Sequence, residues 1–153
     1  MSKGLLEFIL NLRRWAGGDK WDVEEPTAIG EGYAWTYNGR FYSILYTRAG
    51  MYRGNHIHPV DQHTILLEGK GSYIMKRGLG EVIQPLEVGK VLTIKAGIPH
   101  IFLPEEDCLT LEWWDGMFEA KEHDFPKYMK EIKPRIDEFN RRLEELKNQR
   151  SRR

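Results

Sequence analysis

From Tyr33 to Trp114 short runs of β-branched and aromatic residues follow one another, and each is closed by a turn signal before a helix could form. The clearest signal is Asn38-Gly39, flanked by Tyr33–Tyr37 and Arg40–Thr47, which predicts a two-residue hairpin. Further strands are expected at His63–Glu68, Gly71–Arg77, Glu81–Gln84, Val91–Ile94, His100–Leu103 and Leu109–Trp114. They are separated by Gly69, by Gly78 and Gly80, by Pro85 and Gly89, by Gly97 and Pro99, and by Pro104. Strands this short and this closely spaced predict an all-β sandwich or barrel.

The flanks differ. Leu5, Phe8, Ile9 and Leu12 follow helical spacing after Ser2, a candidate cap, and Gly17-Gly18 stops the run, so residues 2–15 are expected to be helical. Trp21 to Gly32 reads as loop. After Gly116, Ile132, Ile136, Phe139, Leu143 and Leu146 recur at intervals of four, three, four and three, which predicts an amphipathic helix within about residues 126–148. Pro134 suits a first-turn position, and the apolar stripe is expected to pack on the parent barrel.

Three histidines carry the chemistry. His56 and His58 are two apart, so in a strand they project from one face. His100 follows Gly97-Ile98-Pro99 much later in the chain. Neutral imidazoles suit divalent first-row metals, and three protein ligands leave positions open for water or substrate.

The two segments resemble the signature motifs of the cupin superfamily. In the first motif His56, His58 and Gly69 match; in the second Gly89, Gly97 and His100 match in register. The resemblance covers roughly residues 40–115. It implies a mainly β double-stranded β-helix, the jelly-roll barrel of cupins. The chain then reads as one cupin domain over residues 1–153, with its barrel core at about 33–115, an N-terminal helix and a C-terminal amphipathic helix. Where the family places a glutamate ligand, this chain has Gln62 or, at the longer spacing, His63. Parity puts Gln62 on the face of His56 and His58, and a bulge would favour His63 instead. Lys95 and Pro104 stand where the second motif usually has proline and asparagine. The expected metal set is therefore His56, His58 and His100 with Gln62, or less readily His63, around Zn, Fe, Mn or Ni. A homodimer is expected by the same resemblance.

Composition narrows the partners. Lys plus Arg and Asp plus Glu both total 23, so no global charge draws the chain to nucleic acid or an anionic membrane. No apolar run approaches the ~20 residues of a membrane span, and Glu7 interrupts the only N-terminal apolar stretch, so a cytoplasmic protein is expected. The single cysteine, Cys108, excludes an internal disulfide and reads as a buried strand thiol.

Proton chemistry next to a metal needs an acid or base. In Leu109-Thr110-Leu111-Glu112-Trp113-Trp114 alternation sets Glu112 opposite Leu111 and Trp113. A carboxylate facing a cavity with Trp114 and Phe102 would be desolvated and its pKa raised toward the range useful for proton transfer. Tyr73 and Tyr52 could each supply a phenol hydroxyl, and Tyr73 is the second catalytic candidate. Tyr52, Arg53, Lys95, Phe102 and Trp114 are the candidate substrate-binding residues, the cations for an anionic group and the aromatics for a sugar face. Three functions compete: a metal-dependent isomerase or epimerase of a sugar or sugar derivative, a three-His iron dioxygenase of a small organic molecule, and a non-catalytic ligand-binding module. Fold alone does not choose among them.

Overall fold

The computed structural model describes residues 28–152; the expected helix at 2–15 lies outside them. At the first hairpin Asn38 and Gly39 both take positive φ, 49° and 73°, the two left-handed positions of a type I′ turn. The turn joins β1 (Gly30–Tyr37) to β2 (Arg40–Thr47), so β1 starts three residues before the expected strand, within the segment read as loop.

Eight further strands follow: β3 (Arg53–Ile57), β4 (Gln62–Glu68), β5 (Gly71–Arg77), β6 (Gly80–Pro85), β7 (Val91–Ile94), β8 (His100–Pro104), β9 (Cys108–Trp114) and β10 (Lys121–Glu122). They form two five-stranded antiparallel sheets, ordered β1-β2-β9-β4-β7 and β10-β3-β8-β5-β6. At Gly69 a Cβ would come within 2.3 Å of the Asp107 carbonyl oxygen, so the turn from β4 to β5 passes the neighbouring chain too closely for any side chain.

Period-two alternation decides what faces the space between the sheets. In β5 and β8, Tyr73, Met75, His100 and Phe102 turn inward, while Ile74 and Ile101 turn outward. One end of the interior is apolar: Leu66, Tyr73, Met75, Leu86, Ile94, Phe102 and Cys108 form a single buried cluster. Toward the other end the first sheet presents polar side chains instead. Ser43, Gln62, Thr64, Thr110 and Glu112 are all buried there. Cys108 donates to the carbonyls of Lys70 and Glu106, and burial pushes its thiol up to about 12, which makes it inert.

The outward face of the second sheet is covered by α1 (Pro126–Ser151), preceded by Phe125. Phe125 packs on Ile74 and Ile101, and Ile132 packs with Ala28 and Met51. The helix begins at Pro126, a first-turn proline, and Pro134 lies inside it, which corrects the expected start. Pro134 has no N–H to give the preceding turn; the apolar contacts from Phe125 to Phe139 hold the helix in spite of it. Ile132→Ala should therefore destabilise the protein by ~2–5 kcal/mol in urea unfolding. A loss below ~1 kcal/mol would mean that the helix contributes little to the fold.

Candidate functional site

The three imidazoles meet at the polar end. β3 and β8 place His56 directly opposite His100, and His58 follows β3 by one residue. The ring centres of His56 and His58 are 5.5 Å apart, and those of His58 and His100 are 5.1 Å apart. A register shift between Arg53 and His56 marks a bulge, and Gly54 sits in it with φ of 63°. The bulge lets Arg53 and His56, three residues apart, both line the interior, which strict alternation would forbid.

His58 and His100 are buried, and each is oriented through Nδ1. His58 Nδ1 lies 2.8 Å from the Glu119 carbonyl oxygen, and His100 Nδ1 lies 2.9 Å from that of Ile98. A carbonyl only accepts, so each Nδ1 carries the proton and each Nε2 is left with its lone pair. Both Nε2 atoms are buried with no hydrogen-bond partner among the described residues. Burial lowers the pKa of all three histidines, that of His100 to about 4, so the rings are neutral at pH 7. As the side chains stand, no three of the described His, Cys, Asp and Glu residues gather their ligand atoms tightly enough to hold one ion.

The cavity beside them is about 350 Å³. Glu112 lines it, and burial raises its carboxyl to about 7, opposed by the hydrogen bond from Tyr73 and by the charge of Arg53. Tyr73 donates to Glu112 Oε1 at 2.8 Å. Gln62 Nε2 donates to Tyr73 and to Thr64 Oγ1, both at 3.0 Å. Gln62 thus faces the cavity with its amide donors engaged in this network. Ser43 Oγ, Thr110 Oγ1 and Trp114 Nε1 are buried on the same sheet without a hydrogen-bond partner among the described residues.

The remaining expected site residues divide. Tyr52, Arg53, Tyr73, Glu112 and Trp114 all line the cavity. Arg53 is braced from below: its Nη2 donates to the carbonyls of Glu31 and Tyr46, and its Nε to Thr47 Oγ1. Three residues lie elsewhere. His63 alternates to the outer face, where it stacks on Trp113 and bridges Thr93 and Asp115. Lys95 turns out to Asp61, with Nζ 3.1 Å from Oδ2. Phe102, on the inward face but deeper, belongs to the apolar cluster and packs on Tyr73.

Two lining residues, Phe118 and Glu122, stand outside the expected set. Phe118 packs on Trp114, Phe41 and His58, with ring centres 4.7, 5.0 and 5.7 Å away. Glu122 lies at the cavity rim, paired in register with His56. Neither carries a periodic signal, because the segment from Gly116 to Asp124 has only a two-residue strand. His123 is half-buried, with its Nε2 2.9 Å from Lys76 Nζ.

No protein-family model and no curated protein matches the sequence. Solved structures do match. The capsular polysaccharide assembling protein CapF from Staphylococcus aureus superposes with a TM-score of 0.55 at 20% identity, over 63% of this chain and 30% of that one. CapF with the inhibitor 3-isopropenyl-tropolone gives 0.58 at 18% identity, over 66% and 33%. A deletion mutant of Bacillus subtilis oxalate decarboxylase OxdC gives 0.53 at 16%, over 60% and 27%. The chain thus matches a third or less of the length of each. Two facing antiparallel sheets, a pocket between them at the polar end, and this shared backbone with CapF and OxdC give the chain the cupin fold.

Proposed function

We propose that this protein is a metal-binding cupin that isomerises a sugar or sugar derivative, with His56, His58 and His100 holding a divalent ion. One observation carries the reading. His58 and His100 keep buried, unpartnered Nε2 lone pairs, each fixed by a backbone carbonyl behind the ring, next to a carboxyl raised to about 7. Buried polar atoms are normally satisfied, and a histidine tied at one nitrogen with the other free is how metal ligands are held. The rings adjoin, with centres 5.5 and 5.1 Å apart, and they must reorient to bring their nitrogens onto one ion.

A bound divalent ion would polarise a carbonyl or hydroxyl oxygen of the substrate. Glu112, whose carboxyl burial raises to about 7, takes a proton from the adjacent carbon and returns it to the neighbouring one. Tyr73 steadies the ionised carboxylate through its hydroxyl, and Gln62 and Thr64 hold Tyr73 in place. A single buried carboxyl suits transfer between neighbouring carbons on one face better than epimerisation, which needs a second group opposite. Trp114 and Phe118 form a wall suited to the apolar face of a sugar ring. The cavity is within the small-ligand range. One of the similar structures is named for capsular polysaccharide assembly, which directs the search toward sugars.

A second reading, a three-His iron dioxygenase, is favoured by Gln62, whose engaged amide leaves β4 without a carboxylate ligand. Metal analysis of untreated protein, followed by proton NMR of sugars and sugar phosphates in D₂O, separates the two. The isomerase reading expects bound metal and deuterium entering the carbon next to the carbonyl. Iron with oxygen uptake and no deuterium entry would replace it with the dioxygenase.

A further inference from the structure

The register of the first sheet sets Ala34, Ser43, Glu112 and Thr64 in one row across β1, β2, β9 and β4. Direct partners in an antiparallel pair present their side chains on one face, with Cβ atoms about 5 Å apart. Along β2 the residues that share this face with Ser43 are Phe41 and Leu45. Of the four side chains next to Ser43 on the interior face, only that of Glu112 is polar. Ser43 is fully buried, and its Oγ has no hydrogen-bond partner among the described residues. Buried polar atoms are normally satisfied, so this hydroxyl calls for a partner, and the row offers one.

Glu112 has the matching need. Its Oε1 accepts the Tyr73 hydroxyl at 2.8 Å. On its other side Thr64 Oγ1 is already engaged by Gln62 and Tyr73. No hydrogen bond among the described residues engages Oε2, although an ionised carboxylate accepts at both oxygens.

We infer that Ser43 is a positioning residue for Glu112: by turning about its Cα–Cβ bond it brings Oγ onto the second carboxyl oxygen. The inference rests on Glu112 as the base of the isomerisation proposed above. A hydroxyl both donates and accepts, so Ser43 accepts from the protonated carboxyl and donates to the ionised one. The bond to the ion is charge-assisted and the stronger of the two. Ser43 therefore favours the form of Glu112 that takes the substrate proton, and it holds that form from the side opposite Thr64. Two other groups act on the same carboxyl, Tyr73 from β5 and Arg53 from β3. The three neutral imidazoles, Tyr52 and Glu122 complete the titratable lining of the cavity.

The test follows the Glu112 carboxyl by ¹³C NMR in metal-free, full-length protein, with E112Q identifying its signal. Ser43→Ala should raise the pH at which this carboxyl titrates by about 1–2 units, the worth of a hydrogen bond to a charged group. The pH dependence of deuterium entry in metal-loaded protein should move up by the same amount. Thr110→Val is the control. It removes the other unpartnered hydroxyl of this face, one row away between Leu45 and Leu66, and should leave the titration unmoved. Circular dichroism confirms that both variants fold. An unmoved titration in S43A overturns the inference and leaves the isomerase reading standing. An equal rise in S43A and T110V also overturns it, since loss of any buried hydroxyl near the carboxyl then suffices. A rise confined to S43A supports the contact; if wild-type protein then gives no deuterium entry with any sugar tried, the isomerase reading falls and the contact stands.

Discussion

His100→Ala is expected to leave the purified protein without bound metal, the ratio falling from about one ion per chain to near zero, a loss in affinity of more than ~100-fold. The ring is 1% exposed, its Nε2 has no partner among the described residues, and its Nδ1 is committed to the Ile98 carbonyl. The residue therefore has one free chemical function, a lone pair aimed into the cavity. Loss of an outer-shell partner alone weakens metal sites ~10–100-fold, so loss of a ligand must exceed that. His56→Ala should behave alike. His63→Ala should keep its metal, because that ring bonds Thr93 and Asp115 on the outer face. Elemental analysis of the three variants decides the matter. Unchanged metal in both His56→Ala and His100→Ala would end the metal reading.

Glu112→Gln is expected to retain the metal and to lower deuterium entry into the substrate ~10²–10⁴-fold, the usual worth of a general base. It should also change how stability depends on pH. The folded carboxyl titrates near 7, above its ordinary value of 4.5, because burial disfavours the ion. Between those values the unfolded chain has released the proton and the folded chain retains it, so stability falls as pH rises through this window and levels off above about 7. A rise of this size corresponds to roughly 3 kcal/mol. The amide has no such proton and can still accept the Tyr73 hydroxyl. In metal-free protein E112Q should gain on the wild type by up to about 3 kcal/mol from pH 4.5 to pH 8. Urea unfolding at the two pH values measures it. A stability difference that does not move with pH would mean that Glu112 is not held protonated in the folded protein.

Local rules explain what the sequence made legible. The strands were readable because their faces alternate, and Asn38-Gly39 fixed the first register. The same alternation brought His56, Gln62, Glu112 and Trp114 to one interior. It set His63 outside. Depth was not readable: Phe102 and Trp114 both face inward, and only the tertiary packing puts one in the apolar cluster and the other on the cavity wall. Nor was long-range pairing. Lys95 is drawn out by Asp61, and Glu122 is placed by a two-residue ladder with no propensity signal of its own. Pro134 misled because proline is tolerated both as a helix start and, where packing compensates, inside one.

The carbonyl behind His58 belongs to Glu119, and the strand beside His56 begins at Lys121. Both lie downstream of every imidazole they steady. During synthesis the sheets can form on the emerging chain before either has left the ribosome, since chains fold from their N-terminal side as they are made. The pocket is thus completed only once the segment between the barrel and the helix has been made, later than the strands that carry its imidazoles.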